Sequence, residues 1–399
     1  MPKIGIALLL RRKKSFMSIS VGLAIVIITF SSLNLDTVGS ARPAKDCRTA
    51  GVQSREHKGT IGCEPFPLIT GSDWGKHSPV VDRVFPSINQ SVFINQNITG
   101  KDEAEVIKSV VKVLSMPWTQ NNTNRDRIRQ QLRVFTDTEK MFVLTKKNVR
   151  VSQKVHASIS KVQFQIKPGI YQLLPEAQIL VDKTYKKCSV VGNSGILLKS
   201  GCGRQIDSDD VVIRFNIPTL GPFSRDVGNK TTLSTFNKSQ FESYNNLRSS
   251  EDRAEFIYKL KSYDNLATLL HSTTSQITET ILSAQLLRGK KNLYFIHPHH
   301  FTAIRHYWES HNLNKRPTSG MYLTTVALVI CDQVHVYGFW PFATDPRGER
   351  VQYHYHDNVQ ANSQVHGFMN EFKALLDLHK RGVIKLNANS CEESVKTVT

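Results

Sequence analysis

Short apolar runs alternate with amphipathic segments from residue 188 towards the end of the chain. Six runs predict strands, and several are continuously apolar, the pattern of a sheet covered on both faces: CSVVG, DVVIRFN, TLSTFN, NLYFIHP, QVHVYGFW and VIKL. Three segments between them predict helices: TTSQITETILSAQLL, SGMYLTTVALVICD and GFMNEFKALLDLHKRG, the last ending at Gly382. This alternation predicts an α/β domain with a mainly parallel sheet.

The N-terminal part of the chain has a different pattern. Four cations at residues 11–14 precede an uncharged apolar run from about residue 16 to residue 33, a length that suits a membrane span. The cationic flank marks the cytosolic side. A cleavable signal peptide ending near TVGSA is the alternative, and both interpretations send the rest of the chain into the secretory pathway.

Composition divides the remainder into a stem and a folded body. Residues 36–104 are rich in Gly, Ser, Pro, Asn and Lys and show little periodicity, which is typical of a stem. The segment DEAEVIKSVVKVLSM then predicts a helix with acids in its first turn. We predict a cytoplasmic tail at 1–14, a transmembrane signal anchor at 15–35, a lumenal stem at 36–104 and a folded domain at 105–399.

Charge and cysteine content narrow the class of protein. The chain has 52 Lys and Arg against 33 Asp and Glu, a formal charge of +19, which attracts anionic partners. The cations are scattered and lack the aromatic interleaving of a nucleic-acid groove, so we expect no nucleic-acid partner. Six cysteines suit an oxidising compartment, and no zinc-type spacing occurs among them.

Five glycosylation sequons support the same compartment. They begin at Asn89, Asn97, Asn121, Asn229 and Asn237. Each sequon is a weak signal because the pattern is short. We predict glycans on Asn89, Asn97 and Asn121. The other two lie inside the region of candidate chemistry, where a glycan on the active face would crowd a site, and the sequence does not say which face they occupy.

The stretch CSVVGNSGILLKSGCGRQIDSDDVVIRFN, residues 188–216, contains the first candidate site. It predicts a strand, a turn and a helix, in which Gly192 and Gly195 let the backbone approach a ligand. Turns at the carboxyl ends of parallel strands are where open α/β sheets bind ligands. Asn193 and Ser194 offer polar side chains there, and Asn216 ends the second strand. An ordinary structural turn is the alternative.

The acidic run at residues 207–210 resembles a metal-binding DxD motif. Such a motif coordinates a divalent cation and a diphosphate when it ends a strand. Here the acids precede a strand, which puts them at the edge opposite the expected ligand. We therefore predict surface residues that lead into a strand, and no metal site.

The stretch RPTSGMYLTTVALVICDQVHVYGFWPF, residues 316–342, contains the second candidate site. Thr318, Ser319 and Gly320 stand at a predicted helix start, where hydroxyls cap the helix and N–H groups face an anion. An ordinary N-cap is the alternative. Trp340 follows the next strand and either stacks on a ligand or fills the core.

Histidines form the third candidate set. His354 lies in QYHYHDN, and His366 is followed five residues later by Glu371. Histidine titrates near neutrality, so it can act as a base or carry positive charge beside a phosphate. Each histidine alone also suits the surface or the core. HPHH at residues 297–300 lacks a matching acid or cysteine cluster, and we predict a loop after a strand there.

These residues together resemble the sialylmotifs of the animal sialyltransferases. Residues 188–232 look like the large sialylmotif and residues 316–342 like the small one. YHYHD resembles the short third motif, and His366 with Glu371 fits the final H-x4-E motif. The four motifs occur in order over some 180 residues. GNSGILL, GCG, YGFWPF and MPWTQNNTN are most similar to the α-2,8-sialyltransferases.

The resemblance implies a single-pass type II Golgi membrane enzyme on a modified Rossmann-like glycosyltransferase fold. It implies that the enzyme transfers sialic acid from CMP-sialic acid to a sialylated glycoprotein or glycolipid, with inversion and without a metal or other cofactor. The implied donor-binding residues are Asn193, Ser194, Asn216, Thr318, Ser319, Gly320 and Trp340.

The same resemblance implies catalytic roles for two histidines. His366 would be the base that deprotonates the acceptor hydroxyl, and His354 would support the departing phosphate. Disulfides are implied between Cys188 and Cys331 and between Cys202 and Cys391. Whether the chain forms a homodimer, how Cys47 and Cys63 pair, and the natural acceptor stay open.

Two alternatives to the α-2,8 activity remain at this point. One is a sialyltransferase of α-2,3 or α-2,6 linkage that acts on galactose or N-acetylgalactosamine. The other is a non-catalytic basic lumenal protein that binds acidic glycans. The presence of His366, His354, Asn193 and Asn216 together argues against the second.

Overall fold

The computed structural model describes residues 101–156, 163–263, 268–272, 286–287, 292–359 and 366–391. All of them belong to one compact unit, Phe85–Thr399. The predicted tail, anchor and stem up to residue 100, with Asn89 and Asn97, lie outside the described residues, as does most of the predicted helix at 273–287. Among the described helices, none combines the length and apolar character needed to cross a bilayer.

A sheet of seven parallel strands forms the centre of the domain. Its strand order is β7-β6-β5-β4-β3-β8-β9, and a separate antiparallel pair joins β1 to β2. The strands are β1 (Lys154–His156), β2 (Gln163–Gln165), β3 (Tyr185–Val191), β4 (Val211–Arg214), β5 (Leu233–Thr235), β6 (Thr268–Ser272), β7 (Asn292–Ile296), β8 (Cys331–Tyr337) and β9 (Lys385–Asn387). The predicted α/β class with a mainly parallel sheet is confirmed.

Helices pack on both faces of this sheet. They are α1 (Lys101–Leu114), α2 (Asn122–Phe135), α3 (Thr138–Met141), α4 (Pro168–Leu173), α5 (Gly203–Asp207), α6 (Ser224–Val227), α7 (Lys238–Ser243), α8 (Ser250–Lys261), α9 (Pro298–Glu309), α10 (Ser319–Ile330) and α11 (Phe368–Lys380). The predicted boundary between stem and folded domain, at residues 104 and 105, falls inside α1.

Successive residues of the central strands enter two separate cores. In β3, Val190 packs with α1, α2, α9, α10 and α11, whereas Val191 packs with α5 and α8 on the other face. In β4, Ile213 joins the first core and Val212 the second. Side chains alternate across a strand, so a strand covered on both faces must be apolar throughout. This explains the continuous apolar runs in the sequence.

Several elements differ from the sequence prediction. The segment after Gly192 was predicted as a helix, but it forms only a 3-10 turn at Gly195–Leu197, and α5 begins later, at Gly203. The predicted loop HPHH is the start of α9: His297 caps this helix by accepting from the His299 backbone N–H. The strands β1, β2 and β6 and the helices α2, α3, α4, α6, α7 and α8 were not predicted.

Two disulfides tie distant segments to the sheet. Cys188 in β3 pairs with Cys331 at the start of β8, and Cys202 pairs with Cys391 near the C-terminus. These are the two pairings that the resemblance implies. They close chain segments of 143 and 189 residues, so each restricts the unfolded chain strongly.

The acidic run before β4 is built into the fold. Asp209 is only 2% exposed, which makes the prediction of a surface residue wrong. Its carboxylate accepts from the Ser189 hydroxyl at 2.7 Å and lies 3.1 Å from Nδ1 of His335. Burial of a carboxylate is costly unless such partners are present. Asp209 therefore has a structural role: it links the residues before β4 to the strands β3 and β8.

The two flanking acids hold backbone amides at the same edge. Asp207 accepts from the N–H groups of Asn229 and Lys230, at 2.8 and 2.9 Å. Asp210 accepts from the N–H groups at the start of β3, residues 186 and 187, at 2.8 and 3.1 Å. Both carboxylates lie at the amino ends of the strands. The sequence predicted that these acids lie at the edge of the sheet opposite the ligand, and this position is confirmed.

Candidate active site

A cavity of about 520 Å³ lies at the carboxyl ends of the central strands. This volume is within the range of small-molecule sites in proteins. Every residue that the sequence predicted for donor binding or catalysis lines it: Asn193, Ser194, Asn216, Thr318, Ser319, Gly320, Trp340, His354 and His366. The fold thus brings together four segments that are up to 173 positions apart in the chain (193 to 366).

The loops after β3 and β8 form the floor of the cavity by close backbone contact. A Cβ on Gly192 would lie 2.3 Å from the carbonyl oxygen of Gly338, a distance that no side chain tolerates. The Gly192 N–H donates to the Tyr337 carbonyl, and the Ser194 N–H donates to the Gly338 carbonyl. The sequence predicted that Gly192 lets a ligand approach the backbone. In the structure, the loop after β8 packs against Gly192 instead.

Asn193 and Asn216 line the cavity, and each has a buried side-chain oxygen without a hydrogen-bond partner. The Asn193 side chain donates from Nδ2 to the Phe215 carbonyl at 3.0 Å, which turns Oδ1 away from that loop. The Oδ1 atoms of both asparagines are buried and have no hydrogen-bond partner within the protein. Buried polar atoms are almost always paired. Each of these two residues of the cavity lining therefore keeps a hydrogen-bond acceptor that the protein itself does not use.

The backbone at Asn216 is left-handed, with φ of 61°. Its N–H donates to the Thr235 hydroxyl in the neighbouring strand at 3.1 Å, which holds the turn. Asparagine tolerates this conformation better than most residues. The chain therefore turns away from β4 at Asn216, the residue that lines the cavity.

Ser194 and Trp340 are more buried than their predicted roles suggest. The Ser194 hydroxyl accepts from the Ile196 N–H and caps the 3-10 turn, and the residue is 8% exposed. Trp340 is 7% exposed. Its indole Nε1–H donates to the Thr344 carbonyl, and its ring packs edge-on against Phe342 and Phe372. Trp340 therefore packs in the core and also borders the cavity, and its contact with a donor stays a prediction.

Thr318 begins α10 and is held from α11. Its hydroxyl accepts from the Met321 N–H as an N-cap. The Thr318 N–H and hydroxyl donate to the two carboxylate oxygens of Glu371, at 2.7 and 2.6 Å. The N–H groups of Ser319 and Gly320 belong to the first helical turn, where no intrahelical acceptor exists and the dipole favours an anion. Glu371 thus fixes the start of α10.

Glu371 itself is 4% exposed. Burial raises its pKa to about 7, and the two hydrogen bonds from Thr318 oppose this rise. Gly320 packs closely against the ring of Phe339, which leaves no space for a side chain there. The helix start is therefore rigid, with a carboxyl group beneath it that is half ionised near neutral pH.

The ring of His366 is oriented by the backbone. Its Nδ1 lies 3.0 Å from the Arg316 carbonyl oxygen. A carbonyl only accepts, so Nδ1 carries the proton and donates, and Nε2 of the neutral ring keeps a lone pair. Burial lowers the pKa of His366; the hydrogen bond to the Arg316 carbonyl opposes this, and the charges of Arg316 and Lys315 lower the pKa further. At neutral pH the ring is therefore neutral, with a basic nitrogen available to the cavity.

Asp357 organises the second histidine of the cavity. Both carboxylate oxygens lie 3.0 Å from Nδ1 of His354, so Nδ1–H donates to Asp357 and Nε2 is left for other partners. The His354 ring stacks on His356 and on Tyr353. Burial lowers the pKa of His356 to about 4. The neutral His356 therefore adds no competing charge beside His354.

Potential metal-ligand atoms also meet in this group. One ligand atom from each of His354, His356 and Asp357 lies within 4.8 Å of the others. In the structure the carboxylate accepts from His354 and lies 3.3 Å from Nδ1 of His356. The prediction that the enzyme needs no metal stays a prediction.

Sequence reasoning did not assign Asn237, Arg350 or Asp357 to the site. Asn237 and Arg350 line the cavity, and Asp357 holds His354. One signal was available for Asn237: it follows β5 by two residues, as Asn193 follows β3 and Asn216 follows β4. No sequence signal marks Arg350, because it lies in the irregular loop after Trp340.

Polar and apolar residues line this cavity at the carboxyl edge of a parallel sheet, which is where open α/β folds bind their ligands. The profile of glycosyltransferase family 29 (sialyltransferase) matches residues 135–383. This chain belongs to that family, and its activity is that of a sialyltransferase. The family implies CMP-sialic acid as donor and a glycan as acceptor.

The relatives in sequence agree with the family. The alpha-2,8-sialyltransferase 8F of Homo sapiens is 32% identical over 302 residues, which cover 73% of this chain and 75% of the relative. The protein of that name from Mus musculus is 32% identical over 300 residues, with the same coverage. A mammalian sialyltransferase in complex with Gal-beta-1-3GalNAc-ortho-nitrophenol is 20% identical, covers 77% of this chain and 97% of its own, and has a TM-score of 0.38.

Proposed function

We propose that the chain transfers sialic acid from CMP-sialic acid to the terminal sialic acid of a glycoprotein or glycolipid glycan, with an α-2,8 linkage. The linkage is supported by the names of the relatives that are 32% identical and by the motifs GNSGILL and YGFWPF. The observation that carries the mechanism is the cavity, where two orphan asparagine oxygens and two oriented histidines meet.

The donor's CMP moiety occupies the wall formed by Asn193 and Asn216 in this proposal. Their Oδ1 atoms accept from amino or hydroxyl groups of the nucleoside, which pairs the two orphan acceptors. The phosphate and the sialic acid carboxylate face Ser319 and Gly320 at the start of α10, where helix N–H groups attract anions. Trp340 supports this wall by packing.

His366 acts as the general base on the acceptor. Its Nε2 removes the proton from the acceptor hydroxyl, whose oxygen attacks the anomeric carbon of the donor. A new C–O bond forms while the C–O bond to the phosphate breaks, and the anomeric centre inverts. General-base assistance contributes about 10²- to 10⁴-fold. The neutral ring and the Nδ1–H bond to the Arg316 carbonyl support this role.

His354 stabilises the phosphate that leaves with CMP. Asp357 holds the Nδ1 side of the ring, so Nε2–H of the protonated ring is the group that can donate to a phosphate oxygen. Charge-assisted hydrogen bonds of this kind are stronger than neutral ones. A single departing phosphate, assisted by His354 and the start of α10, fits transfer without a metal.

The location proposed for the enzyme is the Golgi membrane, with the catalytic domain in the lumen. The cationic residues 11–14 and the apolar run that follows support a single-pass type II anchor. The disulfides Cys188–Cys331 and Cys202–Cys391 fit an oxidising lumen.

An acceptor assay tests the proposed activity. The purified full-length enzyme is given labelled CMP-sialic acid with sialylated or asialo forms of the same glycan, with EDTA present. We expect labelling of the sialylated glycan. Digestion of the product with sialidases of known linkage specificity should then identify an α-2,8 linkage. Labelling of the asialo glycan alone would refute the α-2,8 linkage and leave the α-2,3 or α-2,6 alternative. Loss of all transfer in EDTA would refute metal independence.

A further inference from the structure

Three asparagines form a row along the carboxyl edge of the sheet. The neighbouring strands β3, β4 and β5 end at Val191, Arg214 and Thr235, and an asparagine follows each end by two residues. Neighbouring strands lie about 4.8 Å apart. The third member of the row, Asn237, lines the same cavity as Asn193 and Asn216.

Asn237 also begins a glycosylation sequon, because Lys238 and Ser239 complete the pattern Asn-x-Ser. The other sequon of this region begins at Asn229, which is exposed. The Asn229 N–H donates to Asp207 at the amino edge of the sheet, opposite the cavity. This short region therefore contains one sequon at the carboxyl edge of the sheet, Asn237, and one at the amino edge, Asn229.

We propose that Asn237 is an inactivating N-glycosylation site and that its occupancy sets the fraction of active enzyme. In the modification, Nδ2 of Asn237 forms a C–N bond to the anomeric carbon of a diphosphate-linked lipid oligosaccharide. The C–O bond to the diphosphate breaks, the lipid diphosphate leaves, and one Nδ2 proton passes to a base of the transferring enzyme. The glycan on Asn237 then begins at the wall of the donor cavity.

The cavity is too small to hold the donor and a glycan on Asn237 at the same time. Its volume, about 520 Å³, suits one small-molecule ligand, and an N-glycan is bulky. A glycan on Asn229 leaves the cavity open, because Asp207 and the amino ends of β4 and β5 lie between that residue and the site. The inference rests on the proposed lumenal location, where this modification occurs.

Two matched single-sequon enzymes test the inference, both expressed as full-length chains in secretory eukaryotic cells. The first keeps only the Asn237 sequon and carries S91A, T99A, T123A and N229Q. The second keeps only the Asn229 sequon and carries S91A, T99A, T123A and S239A. T123A removes the Asn121 sequon but keeps Asn121, which caps α2, and S239A keeps Asn237 itself. A lectin column separates glycosylated from unmodified chains of each enzyme.

Glycopeptide mass spectrometry, CMP titration and turnover are measured on all four fractions. We expect the Asn237-glycosylated fraction to retain less than about a tenth of the turnover of its unmodified counterpart and to lose CMP binding, because the site is filled. The two Asn229 fractions should be equally active. Equal activity of the two Asn237 fractions would overturn the inference.

The mass spectra separate failure of this inference from failure of the proposed location. An unmodified Asn237 beside a modified Asn229 would overturn the inference and leave the lumenal location intact. If neither residue carries a glycan, the inference fails, and mass spectra of the wild type, which keeps all five sequons, test the lumenal location. The linkage that the enzyme makes has no influence on these outcomes, because turnover is followed as release of CMP.

Discussion

Replacement of Glu371 by glutamine should change how the stability of the domain depends on pH. Glu371 is buried below the start of α10, and its two oxygens accept from the N–H and hydroxyl of Thr318. Glutamine has nearly the same shape and keeps one acceptor oxygen, but it does not ionise. The substitution therefore removes a proton equilibrium while it preserves most of the packing.

The magnitude follows from the pKa of the carboxyl group. Burial raises this pKa from 4.5 to about 7, and each tenfold change in proton affinity corresponds to about 1.4 kcal/mol. The folded chain thus binds the proton more tightly than the unfolded chain, by about 3 kcal/mol. This stabilisation is fully present below pH 4.5 and is lost as the pH rises through about 7. The wild type should become less stable over this interval, relative to Glu371→Gln, by that amount.

Denaturant unfolding of the full-length chain, with its disulfides intact, measures this difference. The free energy of unfolding of wild type and Glu371→Gln is compared from pH 4.5 to pH 8, with Glu105→Gln, at an exposed position of α1, as the control. The control should follow the wild type at every pH. If Glu371→Gln also followed the wild type, the carboxyl group would have an ordinary pKa in the folded state, and the reasoning would be refuted.

Substitutions at three further residues test the site. His366→Ala should lower turnover by about 10²- to 10⁴-fold with unchanged CMP binding by calorimetry. In the wild type, turnover should rise with pH and level off below pH 6.5, because the pKa of His366 is lowered by burial; wild-type turnover in the alanine variant would contradict the base assignment. Asp357→Asn should lower kcat by roughly tenfold or more and leave the donor KM nearly unchanged, since His354 loses its charged partner; an unchanged kcat would count against that role. Asn216→Gly and Asn216→Ala should weaken CMP binding equally, but only alanine should also destabilise the fold, by about 1 kcal/mol, because of the left-handed backbone; equal stability would exclude strain at this turn.

The sequence by itself determined the class of fold and nine of the residues that line the cavity. Strands buried on both faces must be apolar throughout, so β3, β4, β7 and β8 were visible as continuous runs. Local capping made the start of α10 at Thr318 and the end of α11 at Gly382 predictable. These features depend on neighbours in the chain, and a local pattern therefore records them.

Only the tertiary structure decided what each polar group contacts. The sequence placed Asp209 on the surface, but the side chains of Ser189 and His335 from two neighbouring strands make its burial tolerable. It identified Glu371 without its partner, because the Thr318 hydrogen bonds span 53 positions. The sequence also did not show whether Asn237 lies near the active site, and the structure places it in the cavity lining. The energy of a buried polar group depends on partners from other strands and helices, and the folded chain alone brings these together.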